Sequence, residues 1–493
     1  MGIITESSNT CAKLRRMWFL ILIVVLVAAI GGICLWFGTR PISIWQRYKA
    51  EIKAKGDSLD WKDYVPRSAP PDEENFGATP LLRSIGRKGK VDPIVWGHIN
   101  GLGINDQLRK TGDWIAGQRA DLQAIQGSLR SWGFILPALP QEPAADLLAV
   151  LDGLKPEFDE LRGASQRPYA KLNLAYPEPL SADTPNFVAL RTLAQMLSLQ
   201  ASAELMLGKT NDAFADVRVI HRLADVNRPE PFLVSAMIYC AIHGQALQAF
   251  WEGWVSGQWS DQQLETFQKE FAAVDMLSVL DHAIRGERAG VNYLLETLDG
   301  QQLVQKLIGT GANSDVNWTE QLTKLAVRLS PPRLRTENLL YFNRLLDRTA
   351  FKSYDLRRQR VSPAKCDAAA ALVNKSLSRT TVQNYLASLV MPNFTRTAQT
   401  VARNQTFVNE ALIVCSLERY RRTNGEYPVT LELLSPLFLE NLPHDLITGK
   451  NLMYRRTANG RFLLYSIGWN EKDDNGFATQ GRDDWVWPAL VNE

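Results

Sequence analysis

Few residues in this chain stand at spacings that chemistry demands. The five histidines are His98, His221, His243, His282 and His444. None pairs at the His-Glu-x-x-His separation or lies beside a Cys-x-x-Cys, so neither common zinc arrangement follows. Asp281-His282 with Arg285, Glu287 and Arg288 gathers charge on one helix. A general acid or base needs a positioned partner, and surface salt bridging is the expected role of this group. The cysteines, Cys11, Cys34, Cys240, Cys366 and Cys415, are scattered, and the last three sit in apolar or helical contexts as plain buried residues. Arg333, Arg335, Arg344, Arg348, Lys352, Arg357, Arg358 and Arg360 face only Glu337, Asp347 and Asp355. That run suits phosphate, lipid headgroups or an acidic partner, or is simply a solvated helical face. Near the C-terminus, Asp473, Asp474, Asp483 and Asp484 lie on an acidic turn whose spacing is not that of an EF-hand, and a solvated turn is its plain reading.

The elements that would position these groups follow from composition and period. The chain has 493 residues, 45% hydrophobic and 22% charged, which excludes a disordered or collagen-like polymer. A net charge of +3 is too balanced for a dedicated nucleic-acid binder, and no nucleic acid is expected as a partner. Met17 to Phe37 carries no charged side chain and ends near Trp18 and Trp36. At about 1.5 Å per residue it is long enough to cross a hydrocarbon core of roughly 30 Å. It is longer than the apolar region of a signal peptide and lacks a following small-x-small cleavage site, so an uncleaved single-pass anchor in the lipid bilayer is expected. Basic residues flank both ends, yet long domains translocate largely regardless of charge. The expectation is a cytoplasmic N-terminus and an external or periplasmic bulk at the cell's inner membrane.

Residues 1–40 are thus read as tail and anchor, 41–110 as a stalk or connector, 111–400 as an α-helical body and 401–493 as a small α+β head. The class is mainly α. Leu147, Leu151, Leu154, Phe158 and Leu161 form one helical face. Leu190, Leu193, Leu197, Ala201 and Leu205 form another, and Phe214, Val217, Ile220, Leu223 and Ala224 the return face of an αα-hairpin turning at Gly208. Thr210 or Asn211 is the expected new cap. Leu207-Gly208 with Ala213 resembles a single tetratricopeptide unit, but no second copy follows at that period. Phe232 to Trp254 reads as a buried core helix and not a second span. Ser260-Asp261-Gln262-Gln263 signals a cap, with Met276–Leu298 and Glu337–Tyr354 as further helices.

The last ninety residues change character. Thr406–Arg422 reads as a helix closed by Gly425, and Leu452–Arg455 and Arg461–Ser466 as strands joined at Asn459-Gly460, giving an antiparallel sheet. The words Tyr420-Arg421-Arg422-Thr423-Asn424-Gly425-Glu426-Tyr427-Pro428, then Asp445 with Gly449-Lys450, Tyr454-Arg455, and Leu464-Tyr465-Ser466-Ile467-Gly468 before an acidic loop occur in order. Their order resembles the globular end of the major pseudopilin of type II secretion systems. That resemblance implies a helix packed on a small antiparallel sheet and calcium held by the acidic loop, here through Ser466, Asp473, Asp474, Asp483 and Asp484. The chain departs from that family in its anchor, which lies hundreds of residues before the helix and lacks the prepilin junction and its glutamate. The full layout also resembles uncharacterised membrane-anchored bacterial envelope proteins.

Gly56-Asp57-Ser58-Leu59 has the letters of the GDSL hydrolase signature, but a charged, helix-like segment precedes it where a buried strand should, so Asp57 or Ser58 is read as a helix cap. The functional expectation is a non-enzymatic envelope scaffold or assembly factor with protein partners, linked to a secretion or pilus-like machine. The alternative is an envelope enzyme whose site is assembled from distant residues of the helical body.

Overall fold

The computed structural model describes residues 41–66, 70–85, 112–131, 142–179, 181–305, 327–328, 332–379, 381, 384–391, 394–477 and 484–489. The apolar stretch 17–37, His98, Cys11, Cys34 and Asp483 lie outside them. The described chain is mainly helical, with a small antiparallel sheet near the C-terminus.

The described residues form two units that cut across the expected boundaries. One draws on 41–59, 291–344 and 377–391, the other on 60–290, 345–376 and 392–493. In the first, a helix over 41–54 (α1) buries Trp45 and Tyr48, whose rings stack at 5.6 Å. Asn292 and Asn343 exchange amide hydrogen bonds, and Asn338 Oδ1 accepts from the Leu386 N–H at 2.9 Å.

The second unit begins with residues of the expected connector, and it buries Trp61, Phe76 and Leu82. Its helices are α2 (Pro80–Ile85), α3 (Leu122–Ser131), α4 (Pro143–Leu151), α5 (Lys155–Ala164), α6 (Phe187–Met206), α7 (Thr210–Asp225), α8 (Leu233–Val255), α9 (Asp261–Ala272) and α10 (Met276–Thr297), the last running on into the first unit. The face Leu147–Leu161 is two helices, not one. Asp152–Leu154 forms a 3-10 turn between α4 and α5. Pro156 has no N–H to give a preceding turn and so sits in the first turn of α5.

The hairpin of α6 and α7 stands where the period placed it. Asn186 caps α6 by accepting from the Ala189 N–H, and Gly208 turns at φ +72°. The new helix starts at Thr210 with Lys209 in the cap position, so neither Thr210 nor Asn211 caps it. Helix α8 packs on both partners. Among the described residues it is the one helix long and apolar enough to cross a membrane, with mean hydropathy 1.2, yet 61% of that stretch is buried within the protein. Ser260 and Gln263 close the capping box of α9. Phe250, Trp251, Phe267 and Phe271 are fully buried, and each such ring contributes on the order of 2 kcal/mol by leaving water. Gly253 is required where α8 meets Trp259, since a Cβ there would stand 2.3 Å from the indole.

Helix α11 (Pro332–Arg348) ends six residues before Tyr354, short of the expected extent. A 3-10 turn and a two-residue hairpin, β1 (Tyr354–Asp355) with β2 (Arg360–Val361), follow it. After α12 (Pro363–Leu377) and α13 (Tyr385–Val390), the chain enters α14 (Phe394–Asn424), twelve residues longer at its start than the apolar pattern suggested. It closes at Gly425, φ +84°. Strand β3 (Met453–Arg456) pairs antiparallel with β4 (Phe462–Ser466), Tyr454 opposite Leu464, and β4 pairs with β5 (Trp485–Val486). Leu464 is buried where β4 meets α14.

Candidate functional site

The second unit holds a cleft of about 860 Å³. Its rim is a clamp between residues 74–77 and 168–171. The Phe76 N–H donates to Tyr169 O at 2.8 Å and the Tyr169 N–H to Glu74 O at 3.0 Å. The Asn75 amide closes the clamp, donating to Lys171 O at 2.8 Å and accepting from the Lys171 N–H at 2.9 Å. Gly77 permits this approach, for a Cβ there would meet Lys171 O at 2.2 Å. Arg167 donates to the carbonyls of Asp72 and Asn75. The rim is therefore preorganised by bonds to backbone, and Pro70, Pro71, Pro168 and Pro229 stiffen the walls.

The charges in the cleft divide by pairing. Arg222 donates to Asp225 at 2.6 Å and to Arg167 O at 2.7 Å, with its guanidinium 5.9 Å from the Phe76 ring. Lys171 and Arg228 line the same cleft, and neither side-chain cation has a hydrogen-bond or ion-pair partner among the described residues. Burial lowers the Lys171 pKa, against the attraction of Glu230. Glu230 is fully buried, and burial pushes its carboxyl up to about 7 although the Tyr176 hydroxyl donates to it at 2.6 Å. His282 Nε2 bonds Pro229 O at 3.1 Å, so that nitrogen carries the hydrogen, and burial lowers the ring's pKa. Ser278, one helical turn before His282 on α10, donates to Asp275. Such a cleft can offer an anion two cations that carry no salt bridge, and rest an organic portion on proline and Tyr169.

A second surface lies in the C-terminal module. Val429, Leu433 and Leu437 are 64%, 48% and 80% exposed within one short segment between α14 and β3. Met453 and Phe477 of the same module are also exposed. Nearby, Trp254, Tyr427, Phe462 and Trp487 line a pocket of about 210 Å³. Trp487 is buried, and its indole N–H has no hydrogen-bond partner among the described residues.

The residues singled out in the sequence fall as follows. Asp473, Asp474 and Asp484 share the acidic loop. Asp473 accepts from the Tyr465 hydroxyl, Asp474 from Asn470, and Asp484 from the N–H groups of Asp474 and Gly476. Burial first, and the neighbouring carboxylates after it, raise the Asp484 pKa. The Ser466 hydroxyl instead donates to Asp445 at 3.0 Å. Among the described residues no group of three or more His, Cys, Asp or Glu side chains is arranged to hold a metal ion. Asp281, Arg285 and Arg288 are not surface bridges. Asp281 binds Arg285 and the Tyr354 hydroxyl, Arg288 is 1% exposed, and both guanidiniums lie over Phe351. The basic run spreads over α11, a 3-10 turn and the β1–β2 hairpin instead of lining one helix. Arg333 pairs Glu337 there, and Arg360 donates to Ile447 O. Ser58 follows Gly56 in a turn, its N–H bonded to Asp57. Cys240, Cys366 and Cys415 are buried free thiols.

Three buried polar groups carried no sequence signal. The Nδ1 atoms of His221 on α7 and His243 on α8 stand 3.1 Å apart. Burial lowers both rings, His221 to about 3 with the charge of Arg218 adding to it. Arg162 joins Asp216 at 2.7 Å and Glu204 at 3.1 Å. Glu410 on α14 is fully buried with neither oxygen bonded, and burial raises its pKa well above the carboxylate range. Their helices announce themselves by period, but which polar groups face each other depends on how the helices pack. Comparison of the chain with family models, with curated proteins and with solved structures gave no match.

Proposed function

We propose that this chain is a single-pass, membrane-anchored envelope protein that acts as a non-enzymatic scaffold or assembly factor, docking protein partners through its C-terminal module. The observation that carries the reading is the apolar display on Val429, Leu433 and Leu437, with Leu437 80% exposed. Grouped exposed apolar side chains mark protein contact surfaces. The uncharged run 17–37 supports the anchor, which would hold that surface at high local concentration near other envelope components. The resemblance of the helix-and-sheet module to pseudopilin heads points to a secretion or pilus-like machine.

A photo-crosslinking residue placed at Leu437 in living cells tests this. The expected result is a discrete adduct with an envelope protein that disappears with Leu433→Glu. No adduct, or an adduct insensitive to Leu433→Glu, contradicts the docking role. A second reading, an envelope enzyme, is favoured by Ser278 and His282 lining one cleft a helical turn apart. Retention of partner crosslinking in Ser278→Ala and His282→Gln, with loss of the cell phenotype, would favour it.

A further inference from the structure

We infer that the cleft between the 74–77/168–171 clamp and helices α7 and α10 is a binding site for a phosphate ester. Lys171 and Arg228 would hold the phosphate, and the proline and Tyr169 wall would take the organic portion. The inference goes beyond scaffolding and does not depend on the docking surface of the C-terminal module.

Three observations converge. First, Lys171 and Arg228 both line the cleft and, among the described residues, neither side chain forms a hydrogen bond or salt bridge, while Arg222 is bonded to Asp225, whose charge also reaches Arg228. Two cations without salt bridges in one concave site favour an oxyanion with more than one charge, and Lys and Arg are the usual phosphate-binding side chains. Second, the backbone of Lys171 is fixed by both ends of the Asn75 amide, so little order has to be gained on binding. Third, a cavity of about 860 Å³ exceeds what bare phosphate needs and lies within the range of small-molecule sites. Its wall offers Tyr169, 50% exposed, beside four prolines. Glu74 is the one carboxylate of the lining without a partner, and it opposes an anion from the exposed rim.

Titration of the full chain in a maltoside detergent with glycerol 3-phosphate, followed by calorimetry, is the test. Lys171→Met and Arg228→Met are each expected to weaken binding about tenfold, the usual loss for one charge-assisted hydrogen bond. Glu74→Gln is expected to tighten it by about two- to fivefold, since it removes one repelling charge. A gain of affinity cannot come from misfolding. The source of the phosphate is read by repeating the titration in phosphatidylcholine nanodiscs with and without phosphatidylglycerol. Affinity lost only with phosphatidylglycerol identifies a lipid headgroup as occupant; affinity kept in both identifies a soluble ester. Absence of glycerol 3-phosphate binding, or binding unchanged in Lys171→Met and Arg228→Met, overturns the inference.

Discussion

Replacing Arg162 with methionine should destabilise the helical body strongly, and more so at higher pH. The guanidinium reaches Asp216, which is 0% exposed, at 2.7 Å, Glu204 at 3.1 Å and Asp159 at 3.0 Å. The second oxygens, Glu204 Oε2 and Asp216 Oδ2, are buried and accept no hydrogen bond among the described residues. Methionine keeps the length and apolar stem but leaves two carboxyls facing one another in the interior. Removing one partner of a buried ion pair typically costs about 3–5 kcal/mol. The pH dependence follows from the protons. Burial, reinforced for Glu204 by the charge of Asp216, already raises both carboxyl pKa values, and Arg162 is the largest opposing influence on each. A carboxyl whose folded pKa is raised binds its proton on folding. Its stability is full below the unfolded pKa of about 4 and is lost as pH rises through the folded value. Without Arg162 both values climb further, so the loss extends to higher pH. The variant should unfold in urea with a deficit of about 3–5 kcal/mol near pH 8, and of about 1–2 kcal/mol near pH 5, where the carboxyls can protonate. Tryptophan fluorescence follows the transition. A deficit under about 1 kcal/mol near pH 8, or one equal at both values, would refute the reasoning.

Other perturbations follow the same logic. His221 and His243 are held neutral, with pKa values depressed by burial beside Arg218 and Arg228, Tyr239 and Phe271. The unfolded rings take up protons first, so stability should fall as pH drops below about 6.5, and His221→Leu should flatten that acid limb in thermal melts. Gly77→Ala should cost about 1–3 kcal/mol, because its methyl would strike Lys171 O, and should loosen the cleft rim to proteolysis. Glu410→Met should raise the melting temperature near neutral pH, since it removes a buried carboxyl whose two oxygens are unbonded; a lower melting temperature would show that the carboxyl has a stabilising partner.

Much of the architecture is legible because helices advertise themselves by period. The αα-hairpin needs only its leucine spacing and Gly208, and the C-terminal hairpin only Asn459-Gly460 between apolar strands. Boundaries were legible where a cap is specific, as at Ser260, and misplaced where the cap is not, as at Lys209. The run Leu147–Leu161 hid a break because Gly153 and Pro156 lie between positions that still match a helical face. The cleft was not legible. It joins Glu74, Lys171, Arg222 and His282, four distant segments whose meeting depends on the Asn75 amide and the absence of a side chain at Gly77. The His221–His243 contact was hidden for the same reason, since neither histidine has a metal-like neighbour in sequence.

The proposed anchoring and envelope location are tested most directly by the side of a membrane on which the C-terminus lies. A topology reporter fused after Glu493, with protease added to intact spheroplasts, measures it. The account predicts an external reporter and digestion of the body. A protected, cytoplasmic C-terminus would contradict it, and would make the basic residues after the apolar run the true guide to orientation.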